Sequence, residues 1–217
     1  MTGTTSIVFA GVGGQGVLLI AEMTALAAAR AGFDVKQTEV HGVSQRGGSV
    51  ESHVRFGQAV YSPLVMSGQA DVVIGLEKLE ALRFAHFVRL PANGTDGEQV
   101  RGGVLIVNDH EIVPGSVVGA ADKYPYRAID VLREKGLRLM ALPASQSARD
   151  LGDGRMANVV VLGAMSTLLP QVPQEVWMAT LNERTPEKSR ALNMQAFETG
   201  RDLAQAQTGE SYERRLP

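Results

Sequence analysis

Cysteine is absent from this chain of 217 residues. That excludes disulfides, thiolate-held zinc, a thiol nucleophile and any iron–sulfur cluster ligated by the chain's own cysteines. No sign of charge dominates either, since 21 basic and 23 acidic residues leave a formal charge of −2. Without a broad basic field there is little to drive counterion release, so nucleic acid is not an expected partner. Long hydrophobic runs are also missing: the apolar stretches are interrupted by Glu22 or stop near a dozen residues, short of the ~20 that span a bilayer. The opening MTGTTS lacks the basic and apolar regions of a signal peptide, so the expectation is a cytoplasmic protein with no membrane partner.

What is present reads as one α/β domain over residues 1–217. Residues 6–10 form a short apolar run bounded by Ser and Gly, predicting a buried strand. From Gln15 to about Arg30 the pattern becomes helical, with Gly32 placed for a left-handed cap. A second strand is expected over Asp34–Thr38. The alternating run SVESHVRF follows, with Val50, Ser52, Val54 and Phe56 on one face, and then a short strand at Ala59–Tyr61. DVVIGL (71–76), VLIVN (104–108) and Leu137–Leu142 read as further strands, with helices at Glu77–Val88 and Tyr124–Lys135. The alternation predicts a mostly parallel, Rossmann-like doubly wound sheet with helices on both faces. A helical C-terminal region over 157–206 completes it.

The segment GVGGQGVLL contains Gly11-x-Gly13-x-x-Gly16 between a strand and a helix. In a dinucleotide fold the first glycine makes the tight turn, the second admits a pyrophosphate, and the third lets helix and strand pack closely. An NAD site also needs an acid at the end of the second strand, for which Glu39 is the candidate. A Walker A loop is excluded, because Val17-Leu18 stand where Lys and Ser/Thr would be.

The second constellation is TEVHGVSQRGG, residues 38–48. On a doubly wound sheet it emerges at the same carboxyl edge as the glycine turn. Arg46 offers a donor fork for phosphate, Ser44 and Gln45 add neutral donors, and Gly47-Gly48 allow an anion nest. An exposed loop whose polar groups face water is the alternative. His41 with Glu39 reads as a turn histidine rather than an acid/base pair, and no histidine spacing suggests a metal site. Gly152-Asp153-Gly154 reads as a turn, with Asn158 helping to start the next helix. No G-x-S-x-G elbow supports a serine hydrolase.

Taken together, GVGGQGVL (11–18), QTEVHGVSQRGGSVESHVRFG (37–57), SPLV (62–65), GQADVVIGLEKLEALR (68–83) and MANVVVLGA (156–164) resemble the γ-type subunit of 2-oxoacid:acceptor oxidoreductases. The similarity is strongest to the small subunits acting on indolepyruvate. The resemblance implies one chain of a thiamine-diphosphate enzyme that oxidatively decarboxylates an aryl-2-oxoacid to the acyl-CoA and reduces ferredoxin or another acceptor. Thiamine diphosphate, magnesium and the iron–sulfur clusters would belong to a large partner subunit, in a symmetric pair of heterodimers. Coenzyme A would lie at or near this chain. Gly11, Gly13, Gly14, Gln15, Gly16, Ser44, Gln45, Arg46, Gly47 and Asn158 are then the cofactor-binding candidates, with no catalytic residue and no metal ligand on this chain. A purely structural assembly subunit and a stand-alone flavin- or nicotinamide-binding oxidoreductase are the competing readings.

Overall fold

The structure, a computed structural model, describes residues 3–41, 48–93, 99–100, 102–112, 124–125 and 127–213. The apolar run at the start becomes strand β1 (Thr5–Val12), with Ile7 to Ala10 fully buried. Burial of consecutive residues on both faces is what a strand inside a two-sided α/β layer requires. Helix α1 (Val17–Arg30) follows. It ends in a Schellman motif: Gly32 has φ 89°, its N–H donates to the Ala29 carbonyl, and the Phe33 N–H donates to that of Ala28. Phe33 then packs on Phe56, ring centres 5.3 Å apart.

Strands β2 (Asp34–His41) and β3 (Ser49–Gly57) come next. They are followed by β4 (Val72–Gly75) and helix α2 (Lys78–Phe84), which a 3-10 turn extends over Ala85–Phe87. A separate two-stranded ribbon pairs β5 (Ala92–Asn93) with β6 (Gln99–Val100). Then come β7 (Val104–Asn108), α3 (Ala128–Glu134), β8 (Arg138–Leu142), α4 (Ala144–Asp150), α5 (Ala157–Ser166), α6 (Gln174–Arg184) and α7 (Glu187–Glu213).

The main sheet has the order β2-β3-β1-β4-β7-β8. It is parallel from β1 through β8 and antiparallel where β3 meets β1 and β2. The reason is connection length: the segment between His41 and Ser49 is too short for a parallel crossover, which takes about a dozen residues or more, so β2 and β3 form a hairpin. Val54 and Phe56 enter the core with Val50 packed beside them, as the alternation predicts.

Ala59–Tyr61 is irregular rather than a strand. Helix α3 starts at Ala128, later than the expected Tyr124. Helix α4, polar apart from its alanines, carried no periodic signal.

One face of the sheet packs against α1, α4, α5, α6 and α7, and the other against α2 and α3. Adjacent strands β1 and β4 therefore send their helices to opposite faces. Such a topological switch point opens a crevice at the carboxyl ends of the two strands, the usual ligand position in open α/β sheets. Among the described residues, no helix is long and apolar enough to cross a membrane.

Candidate functional site at the carboxyl edge of the sheet

The glycine turn stands at this switch point. Gly11 lies within β1, opposite Val50, and the turn itself runs over Gly13–Gln15. The positions with positive φ are Gly14 (100°) and Gly16 (77°), the second capping α1. The expected roles are therefore redistributed: Gly11 supplies close packing, and Gly14 and Gly16 supply the conformations that side chains resist. A Cβ at Gly11 would lie 2.8 Å from Val17 Cγ2 and 2.9 Å from Gln15 Oε1.

Gln15 braces the turn from inside. Its Oε1 accepts from the Val12 N–H (2.7 Å), and its Nε2 donates to the Leu76 carbonyl (2.9 Å). The same carbonyl accepts from Asn108 Nδ2 (3.1 Å) at the end of β7. Asn108, buried, also donates to Ser145 Oγ (2.8 Å) and accepts from the Ser145 N–H (3.0 Å). Two side-chain amides thus tie the ends of β1, β4, β7 and the start of α4 into one polar rail. Each partner is satisfied, which makes such a network rigid rather than costly.

Among the described residues, the amides of Gly14, Gly16, Val17, Leu18 and Leu19 make no hydrogen bond; the first helical one is Ile20 N–H to the Gly16 carbonyl (3.2 Å). These open donors, at the positive end of the helix dipole, have the chemistry that suits an anion. Asn158, on the first turn of α5, leans over it. A Cβ on Gly16 would come within 2.2 Å of Asn158 Nδ2. Asn158 is only 6% exposed; its Oδ1 accepts from the Val159 N–H (2.9 Å), while Nδ2 makes no hydrogen bond among the described residues. A largely buried residue therefore keeps its amide donor free beside the helix start.

Ser44, Gln45, Arg46 and Gly47 lie outside the described residues. The root of their segment is fixed: Gly13 N–H donates to the Gly48 carbonyl (2.9 Å), and Ser49 Oγ donates to the buried Glu80 carboxylate. The hairpin thus leaves the sheet beside the glycine turn, as expected from the shared carboxyl edge.

Glu39 does not fit the ribose-reading role. Strand β3 separates β2 from β1, so Glu39 stands two strands, about 10 Å, from the strand that carries the turn.

Sequence reasoning missed a further cluster behind Leu76. Glu77, 1% exposed, caps α2 by accepting from the Glu80 N–H (3.0 Å). It also accepts from the Ile112 N–H (3.1 Å) and the Tyr124 hydroxyl. Burial first, and then the Glu77 carboxylate, push the Tyr124 phenol well above its ordinary pKa. Lys78 Nζ bonds Asp109 (2.6 Å) and Glu111 (2.8 Å). Burial opposes its charge, but the two carboxylates outweigh that and raise its pKa. The legible signal was two acids, Glu77 and Glu80, at a helix start, where negative charge suits the helix dipole. Asp153 forms the expected turn, accepting from the Arg155 N–H (2.9 Å), and the Arg155 guanidinium holds its carboxyl down to about 2.

The sequence profile of the pyruvate ferredoxin/flavodoxin oxidoreductase family matches residues 6–203. A relative described as indolepyruvate oxidoreductase subunit IorB from Thermococcus kodakarensis is 36% identical over 211 residues, covering 94% of this chain and 98% of that one. The crystal structure of the γ subunit of a keto/oxoacid ferredoxin oxidoreductase from Geobacter sulfurreducens is similar at TM-score 0.65 and 27% identity, covering 93% of this chain and 99% of that one. The 2-oxoglutarate:ferredoxin oxidoreductase from Magnetococcus marinus, solved with 2-oxoglutarate, coenzyme A and succinyl-CoA bound, shares the fold at TM-score 0.69 and 23% identity. There the match covers 94% of this chain but 31% of the other. With most of its length matched by the family profile, and with fold and sequence in agreement, this chain belongs to the pyruvate ferredoxin/flavodoxin oxidoreductase family.

Proposed function

We propose that this chain is the small subunit of a cytoplasmic, thiamine-diphosphate-dependent oxidoreductase of aryl-2-oxoacids such as indolepyruvate, that residues 1–217 act as one γ-type unit, and that it places coenzyme A for the reaction. The substrate class is supported by similarity to an indolepyruvate oxidoreductase subunit. Without cysteine the chain cannot ligate iron–sulfur clusters through thiolates, so thiamine diphosphate, magnesium and the clusters are assigned to a large partner subunit that passes electrons to ferredoxin or another acceptor. Two copies of each subunit make the assembly.

The observation that carries the coenzyme A role is the convergence, at the β1/β4 switch point, of unpaired α1 amides with the free Asn158 Nδ2. Coenzyme A supplies the thiol that receives the acyl group and carries a pyrophosphate and a ribose phosphate. The amides of Gly14, Gly16 and Val17 would take the pyrophosphate, Asn158 would donate beside them, and Gln15 would hold the turn's shape through Leu76. Gly11 would keep the turn packed against Val17 and Gln15, Gly13 would admit the backbone approach, and Ser44, Gln45, Arg46 and Gly47 would complete the anion site from the hairpin anchored at Gly48.

The test is Arg46→Ala in the assembled enzyme. Loss of one charged hydrogen bond should weaken apparent coenzyme A affinity by about one to two decades, or 1.5–3 kcal/mol. Thiamine-dependent decarboxylation measured without coenzyme A should be unchanged. An unaltered coenzyme A affinity would refute the assignment of Arg46.

A further inference from the structure

We infer that the segment Val60–Met66, at the end of the sheet opposite the glycine turn, is the surface on which the large subunit docks. This goes beyond the coenzyme A role and rests on the small-subunit reading proposed above.

The segment exposes large apolar side chains: Tyr61 is 96% exposed, Met66 62% and Leu64 52%. From Gln58 to Ala70 no charged residue occurs, although a fifth of the chain is charged. A solvated connection of that length normally carries charge; depletion of charge with Tyr and Met presented outward is the composition of a protein interface core. It also differs from a nucleic-acid or anionic-membrane face, which would present Lys and Arg.

The exposure is built, not a consequence of slackness. Val60 and Val65 are buried at 3% and 4%, so the chain alternates anchors with displayed side chains. Arg55 reaches out from β3 and donates Nη1 to the Ser62 (3.0 Å) and Leu64 (3.3 Å) carbonyls, with Nε on Ser6 Oγ (3.2 Å). The Val65 N–H donates to His53 Nδ1 (3.0 Å), and the Gly68 N–H to the His86 carbonyl (3.0 Å). A loop held at this many points loses little conformational entropy on association, which favours tight docking. Leu90, 63% exposed, belongs to the strip beside it, where Arg89 N–H meets the Ala70 carbonyl (2.9 Å).

The large subunit is the fitting occupant because of how the unit occurs in related enzymes. It is a separate subunit in the Thermococcus and Geobacter proteins, and it corresponds to 31% of a longer chain in the Magnetococcus enzyme. A unit found in both forms must keep one face against the rest of the enzyme. This end of the sheet is available for that purpose, since β3 ends and β4 begins there, away from the open amides of α1.

The experiment is co-expression of the full chain with its large subunit, followed by affinity co-purification and titration of the purified subunits without coenzyme A. Tyr61→Asp with Leu64→Asp should weaken subunit association about a hundredfold, because a carboxylate would be buried in an apolar contact. Thermal stability of the isolated chain should fall by only a few degrees, as Tyr61 is almost wholly exposed and Leu64 half-exposed. Val131→Asp, a singly exposed apolar residue on α3 (39% exposed), should associate as the native chain does. Native-strength association of the double variant would overturn the proposal. So would sedimentation showing that the variant converts a dimer of this chain to monomers while still binding the large subunit, which would assign the face to a second copy. A native chain that binds no large subunit would refute the subunit reading as well. Loss of coenzyme A affinity in Arg46→Ala with intact assembly would leave both readings standing.

Discussion

Two places in this molecule depend on glycines that admit close neighbours, and they are used in opposite ways. Between α5 and α7, Gly163 and Gly200 bring two helices together backbone to backbone: a Cβ on Gly163 would lie 2.0 Å from the Phe197 carbonyl oxygen, and one on Gly200 would lie 1.8 Å from that of Val160. All the space is consumed by packing. At the start of α1, Gly16 meets the end of a side chain, Asn158 Nδ2, while Gly14 meets nothing within 4 Å. There the glycines serve conformation and leave amides open. The difference separates a structural contact from a candidate ligand site.

The sharpest way to break the comparison is Gly200→Ala. Because the obstacle is backbone, the helices must move apart, and the cost should be about 3 kcal/mol or more. Thermal unfolding should fall by on the order of 10 °C for a chain of this size. Truncating a neighbouring side chain should not restore it.

Gly16→Ala should cost less, about 2 kcal/mol, combining left-handed strain with the Asn158 clash. Here Asn158→Ala should recover part of the loss. A double-mutant cycle in urea with no coupling between the two positions would show that the Gly16–Asn158 approach is energetically irrelevant. Gly14→Ala, strained but unobstructed, should cost about 1 kcal/mol.

The smallest effect belongs to the Glu77–Lys78–Tyr124 cluster. Tyr124 and Lys78 have folded pKa values raised above 10.0 and 10.5. Their contribution is therefore complete below those values and declines as pH rises past them, because the unfolded chain loses its protons first. Denaturation midpoints should fall progressively above about pH 10, more shallowly in Tyr124→Phe. An absorbance titration of the native protein should show Tyr124 still protonated where an ordinary phenol has ionised.

Much of the fold was legible because burial imposes simple patterns. The runs Ile7–Ala10 and Val104–Asn108 had to be interior strands, and Val54 and Phe56 had to face the core. Helix α4 was not legible, since ASQSARD has no apolar stripe and is fixed by Ser145 on Asn108 and by alanine packing. The hairpin was half-legible: the short link from His41 to Ser49 excluded a crossover, but β3 lying between β1 and β2, which displaces Glu39, was not written in either strand.

By itself, then, the amino-acid order determined the alternating elements, the lack of thiolate chemistry, the strand–glycine–helix turn and the family, because these follow from local composition and from motifs read along the chain. Tertiary structure alone decided which glycines bend and which pack, that Gln15 and Asn108 share one carbonyl, that Asn158 keeps a free donor beside α1, and that Tyr61 and Met66 face outward. Each of those depends on segments far apart in sequence meeting at one edge of the sheet, and strand order is set by the whole core rather than by any single stretch.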